Sequence, residues 1–169
     1  MQYNIRWADK KDAKRLGYIH ARSWQKAYKG IVPDDVLSNF TPEKRAVKFH
    51  DYVKNNYGDT AVFLLEGKIV GFITLEQSRD DDLNDSWGEI WGIYFDPDYW
   101  NKGFGSVLFE WGIEELKSRG YKHLSLWVLK KNDNAKKFYE KFGFILDGKE
   151  QKAIDGYSLK KVRFVKKNI

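Results

Sequence analysis

Polar and apolar residues alternate from Tyr3 to Trp7, the period of a short half-buried strand. Beyond residues 9–12 the period lengthens, and Leu16, Ile19, Trp24 and Ala27 fall on one face of a helix that should close near Gly30, before the break at Val32-Pro33. A second helical stretch is expected from about Asp34. A third starts at Thr41-Pro42, a cap followed by a proline at the first helical position, and ends before Gly58.

From Thr60 the pattern changes to strands. Residues 61–65 read as one strand, Glu66-Gly67-Lys68 as a tight turn and residues 69–75 as the returning strand. Past an acidic loop, RDDDLNDS, the segment GEIWGIYFDP predicts a strand that runs into a glycine-containing turn. Phe104, Val107, Leu108 and Trp111 then share a helical face, with Lys117 and Arg119 in the last turn and Gly120 as the stop. Residues 124–128 form a strand, and Ala135, Phe138 and Phe142 mark a helix before Gly143. Residues 144–152 and 157–165 read as a closing hairpin across Asp155-Gly156. In the tail, KKVRFVKKN alternates charge and apolar residues as a lysine-guarded edge strand would. The element order predicts a mixed α/β fold with a strand, helix, strand unit at its centre.

Composition narrows the chemistry. The chain has 169 residues, 42% of them hydrophobic and 17% aromatic with seven Trp, enough to bury one core, and residues 1–169 are expected to form a single domain. There is no cysteine, which excludes disulfides, thiolate metal sites and a cysteine-linked acyl-enzyme. His50 and His123 are isolated and no His/Asp/Glu cluster has ligand spacing, so no metal is expected. The start, MQYNIRWADKKD, lacks a signal pattern, and no run of 18 apolar residues occurs, so a cytoplasmic protein with no membrane partner is expected. A net charge of +6 fits an anionic cofactor, a nucleic acid or a solvated lysine-rich surface, but no nucleic-acid-binding motif accompanies it.

Two segments carry candidate chemistry. In YWNKGFGSVLFEW, Gly103 and Gly105 stand between a strand and a helix start, where backbone N–H groups and the helix dipole favour a phosphate. A P-loop is excluded because no Gly-Lys-Ser/Thr follows, and the three-glycine dinucleotide spacing is absent. An ordinary glycine turn would also use these residues. In the second segment, NDNAKKFYEKFGF, Tyr139 lies beside the buried face, placed either for packing or to protonate a departing thiolate.

In this order, roughly 30 residues apart, the two segments resemble the GNAT superfamily of acetyl-CoA-dependent N-acetyltransferases. Gly103 and Gly105 match its Gln/Arg-x-x-Gly-x-Gly/Ala pyrophosphate signature, with Trp100 in place of Gln/Arg. Asn132, Ala135, Phe138, Tyr139, Gly143 and Phe144 match its Asn-x-x-Ala-x-x-Phe-Tyr-x-x-x-Gly-Phe pattern. The resemblance implies a mainly antiparallel sheet of about seven strands flanked by helices, with strands 4 and 5 splayed. It also implies acetyl-CoA as cofactor, held by free backbone groups of Ile93, Tyr94 and Phe95, by the amides of Lys102, Gly103, Phe104, Gly105 and Ser106, and by Asn132, Ala135 and Tyr139. Tyr139 would be the general acid and the Ile93 N–H would face the carbonyl oxygen. Glu89, fourteen residues before Gly103, has the spacing of the general base in the histone-acetylating branch. Trp127 stands where ribosomal-protein N-terminal acetylases carry a base glutamate, which disfavours that branch.

His20, Trp24 and Tyr28 recur at helical spacing on the helix that borders the acceptor cleft in this family, as packing or as pocket wall. The Asp80, Asp81, Asp82 and Asp85 cluster reads as a solvated loop or as a lure for a cationic acceptor. The leading expectation is direct transfer in a ternary complex to a small-molecule or peptide amine. A non-catalytic acyl-CoA-binding regulator and a basic nucleic-acid-binding domain are the competing classes. Polyamine, aminoglycoside, amino acid and protein lysine all remain open as acceptors, and so does a homodimer.

Overall fold

The β2–β3 hairpin, Asp59–Leu65 and Lys68–Gln77, turns at Glu66-Gly67, both at positive φ, and starts a seven-stranded sheet. The computed structural model describes residues 2–169. β1 (Tyr3–Trp7), β4 (Trp87–Phe95), β5 (His123–Leu129), β6 (Ile145–Lys152) and β7 (Lys160–Lys167) complete the order β1-β2-β3-β4-β5-β7-β6. Every neighbouring pair is antiparallel except β4 and β5.

Strand alternation sends side chains to two helical layers. Val62 and Phe72 pack with Leu16 and Ile19 of α1 (Ala13–Ala27) and Phe49 of α3 (Pro42–Asn55). Ile73, Leu75 and Ile90 pack on the other face with Leu108, Phe109 and Leu116 of α4 (Phe104–Ser118), next to α5 (Asp133–Lys141). The α1 and α3 backbones meet at Gly17, where a Cβ would lie 2.3 Å from the Ala46 nitrogen. The short α2 (Asp34–Ser38) packs through Leu37 on Leu129 and Leu159. No helix is long and apolar enough to cross a membrane among the described residues.

The tail strand corrects the expectation of an edge. β7 starts at Lys160 and lies between β5 and β6, paired with β5 from His123↔Lys167 to Leu129↔Lys161. The edge is β6, all of whose residues are exposed. The lysines solvate the two ends of β7, while residues 162–165 are buried. Arg163, only 3% exposed, is held by Asp80, Asp82 and Asp147 at 2.7–3.1 Å. The acidic loop is therefore solvated on its outer side, with Asp81, Asp82 and Asp85 exposed, but Asp80 and Asp82 also serve the buried guanidinium, which requires its carboxylates. Asp85 accepts from Gln77 Nε2 at 2.8 Å.

Two irregularities shape the centre of the sheet. Opposite β3, Gly92 pairs with Thr74 and Ile90 with Leu75, which leaves Trp91 as the extra residue of a bulge. On its other side, β4 pairs with β5 only at Trp87↔His123, Gly88↔Leu124 and Glu89↔Ser125. From Ile90 onward the two parallel strands part.

Candidate active site

The parted strands open a cleft of about 790 Å³ that passes through the sheet, walled by α1 on one side and by α4 and α5 on the other. Its β4 wall carries unused backbone groups. In an antiparallel ladder, residues that exchange both hydrogen bonds alternate with residues that exchange none. The Asp96 N–H reaches the Val70 carbonyl at 2.8 Å, so the next bonded pair is Tyr94 with Phe72. Ile93 and Phe95 consequently turn their N–H and C=O toward the cleft. The Phe95 carbonyl accepts from the Trp100 indole N–H at 2.8 Å, which ties the following loop to the strand end. The backbone groups of Tyr94 belong to the β3 ladder, contrary to the sequence expectation. Tyr94 nonetheless borders the cleft.

At the end of β4 the chain makes two left-handed residues, Asn101 (φ 59°) and Gly103 (φ 82°), before α4 begins. Gly103 has no side chain to cap the helix. Among the described residues, the amides of Asn101 to Gly105 donate to no protein acceptor. They form a concave set of donors at a helix N-terminus, the backbone arrangement that receives a phosphate. The Ser106 N–H turns back to the Gly103 carbonyl at 3.1 Å, and Ser106 does not line the cleft, so it drops out of this set. Lys102, Lys137 and Lys141 line the same end and add positive charge.

α5 presents Tyr139 because Asn132 caps its start, accepting from the Ala135 N–H at 3.2 Å, and Phe138 and Phe142 bury its inner face against Phe109. Asn132, Ala135 and Tyr139 all border the cleft. The Tyr139 ring packs on Phe109, Phe138 and Phe164, and its hydroxyl makes no hydrogen bond among the described residues. Burial, then the nearby Tyr94, push this hydroxyl above the ordinary phenol range, so it keeps its proton. Tyr28 and Tyr94 border the same space, both shifted upward mainly by burial, and Asn132 lies beside Tyr28.

The three aromatic positions of α1 separate. Trp24 and Tyr28 line the cleft, whereas His20 is buried outside it, ringed by Phe40, Phe49, Phe72 and Tyr94 at 4.5–6.1 Å. Burial, then Arg45 and Lys48, lower its pKa to about 3, so it is a neutral packing residue.

Glu89 is 1% exposed and is held by one partner. Its carboxylate accepts from the Arg79 guanidinium at 2.6 and 3.4 Å and from the Arg79 backbone N–H at 3.0 Å. Arg79, not Glu89, borders the cleft, stacked 4.1 Å from the Trp91 ring. Sequence reasoning missed Arg79, Trp91 and Lys161. The sequence offered no local signal for the first, because its contact with Glu89 depends on how the loop between β3 and β4 folds back.

The sequence matches the acetyltransferase (GNAT) family over residues 20–144. This chain belongs to the GNAT acetyltransferases. Among its relatives, YuaI of Bacillus subtilis strain 168, named an uncharacterized N-acetyltransferase, is 26% identical over 161 residues, 94% of this chain and 89% of the relative. The spermidine N(1)-acetyltransferase of Thermoplasma acidophilum is 24% identical over 149 residues, 85% of this chain and 89% of the relative. The crystal structure of PaiA N-acetyltransferase from Thermoplasma acidophilum with coenzyme A superposes with a TM-score of 0.78 at 23% identity, covering 99% of both chains. These likenesses place the seven-stranded sheet with its parted parallel pair in the GNAT fold.

Proposed function

We propose that this GNAT chain transfers an acetyl group from acetyl-CoA to a primary amine by direct attack, with both substrates bound at once. The observation that carries the reading is convergence. One cleft collects the unpartnered amides of Asn101 to Gly105, the free backbone groups of Ile93, the Phe95 N–H, and the protonated hydroxyl of Tyr139. The donor set fits CoA chemistry, since amides and lysines suit a pyrophosphate and an extended strand edge suits an amide-containing arm. PaiA, which shares the fold, was solved with coenzyme A.

Acetyl-CoA supplies an activated thioester acyl group. In this reading, the amides of residues 101–105 hold its phosphates, Ile93 N–H donates to the carbonyl oxygen as negative charge grows there, and Tyr139 donates to the leaving sulfur. Lack of cysteine removes a cysteine-bound acyl intermediate and supports direct attack. CoA release from acetyl-CoA, followed across a panel of primary amines, tests the assignment. A protein that binds CoA yet releases none with any amine is a binding regulator instead.

In the same reading Glu89 is a positioning residue for Arg79, and the amine proton leaves through water. Glu89→Gln is expected to lower stability by about 1–3 kcal/mol through the lost charge-assisted bonds, while the pH profile of kcat keeps its shape from pH 6 to 10. Thermal unfolding and steady-state kinetics check this. A kcat that falls at neutral pH and recovers toward the acceptor's pKa would return the base role to Glu89.

A further inference from the structure

The cleft's charge is one-sided. Among the described residues its lining includes Arg79, Lys102, Lys137, Lys141 and Lys161 and not one Asp or Glu. Lys102, Lys137 and Lys141 stand on the α4 and α5 side, where phosphates are expected. Arg79 and Lys161 stand elsewhere. On β5, Leu124, Leu126 and Val128 face the α4 layer, so Trp127 between them faces the α1 side, and Lys161 lies over its ring at 5.0 Å. Arg79 lies over Trp91 on the opposite wall. Two cations on two indole faces thus flank the α1 mouth of the cleft, together with Trp24 and Tyr28.

The acids that face these cations stand behind the cleft wall and already have partners. Glu89 engages Nε and Nη2 of Arg79 from behind, which leaves Nη1 unbonded, and 55% of the Arg79 side chain stays exposed. Asp80 and Asp82, the nearest acidic loop residues in the chain, are committed to Arg163. Lys161 is shifted down by burial and then by Arg79, with Glu89 and Asp80 opposing the shift only in part, so the two cations stand close enough to repel. Like charges held together against aromatic walls are relieved by an anion, and repelled further by a polycation.

We infer that the acceptor is a primary amine that also carries an anionic group on an apolar body, an α-amino acid or its close relative, with Arg79 and Lys161 receiving the anion. The inference rests on the acetyl-transfer reading and names its substrate class. A spermidine-like acceptor does not fit this mouth, although the Thermoplasma acidophilum relative is named for spermidine. The same positive field disfavours the ammonium form of the bound amine, so a neutral nucleophile forms without a dedicated base. In the transfer the amine nitrogen bonds to the acyl carbon as the carbon–sulfur bond breaks. One amine proton goes to water, and the sulfur departs with its electron pair, hydrogen-bonded by Tyr139.

The test compares L-phenylalanine and L-methionine with their carboxamides and with spermidine at pH 8. The carboxamides keep the shape, remove the anion and carry the less basic amine, so a larger fraction of them is unprotonated at pH 8, which favours them. A kcat/KM at least tenfold higher for the acids is expected. Lys161→Gln should cut that acid-to-amide ratio at least fivefold, and Lys161→Arg should restore most of it. Carboxamides or spermidine equal to or better than the acids would overturn the inference, as would an unchanged ratio in Lys161→Gln. If no amine in the panel is acetylated, the acetyl-transfer reading fails by itself. The inference is then decided by calorimetry of the CoA-bound protein, where tighter binding of the acids supports it and equal or absent binding overturns it.

Discussion

Tyr139→Phe is expected to lower kcat by about 100- to 10,000-fold while CoA affinity stays within a few fold of wild type. The stability of this variant should hardly change. The ring packs on Phe109, Phe138 and Phe164, and the hydroxyl has no protein partner to lose. In the proposed function the contribution of this hydroxyl is therefore confined to the reaction. A thiol has an unperturbed pKa near 8.5 and Tyr139 lies above 10, so complete proton transfer to the sulfur is uphill by at least about 2 kcal/mol. In the proposed transfer the hydroxyl acts as a hydrogen-bond donor to developing charge. Because the upward shift keeps the proton in place, wild-type kcat should show no alkaline loss through Tyr139 up to about pH 10. Stopped-flow and steady-state rates of both proteins across pH 6 to 10 measure this. Full activity in the phenylalanine variant would leave Tyr139 as packing alone.

Gly105→Glu should weaken CoA binding without loss of stability. A Cβ at Gly105 would meet only the Phe138 ring, at 3.9 and 4.0 Å, and the residue is not at positive φ, so the fold accepts a side chain there. Glutamate in the first turn of a helix complements the dipole and has a better helix propensity than glycine. The melting temperature should stay level or rise. CoA affinity, however, should fall by at least about 100-fold, roughly the 3 kcal/mol of one opposed, occluded charge site. The new carboxylate enters the cleft beside Lys102 and Lys137 and competes for the amides that face it. Calorimetry with CoA and thermal unfolding give the two readouts. Unchanged CoA affinity would remove the phosphate assignment from this helix start.

The periodicities located all seven strands and the main helices, because each buries one face at its own period. The position of a strand within a sheet is not a local property. In β7 the lysines suggested an edge, yet the neighbour of β7 is chosen by the reversal of the β6–β7 hairpin onto β5. Ion pairs across long sequence separations were equally illegible. Nothing local in Arg163 or Asp82 announces that the two meet, 81 residues apart, and the acidic run therefore showed only its solvent-facing side. The glycine turn and Tyr139 were legible because short segments with fixed spacing carry them. The Glu89 position was legible too, but its commitment to Arg79 depends on where the β3–β4 loop folds back. The split of His20 from Trp24 and Tyr28 escaped notice because all three share one helical stripe, and only tertiary packing decides which part of a stripe meets a cleft.

The clasp of Arg163 on the acidic loop has a consequence in proton linkage. Hydrogen bonds from Arg163 hold the Asp82 carboxyl well below the usual range near 4. A carboxylate lowered on folding lends its stability above the unfolded pKa and surrenders it only as pH falls through the folded value. The clasp therefore outlasts mild acid, and with it the loop in which Arg79 directly precedes Asp80. Circular dichroism should be constant from pH 8 to pH 5, while kcat/KM falls with the fraction of unprotonated amine alone. Divided by that fraction, the rate should be flat: the acid limb of the profile would then belong to the acceptor and not to the protein.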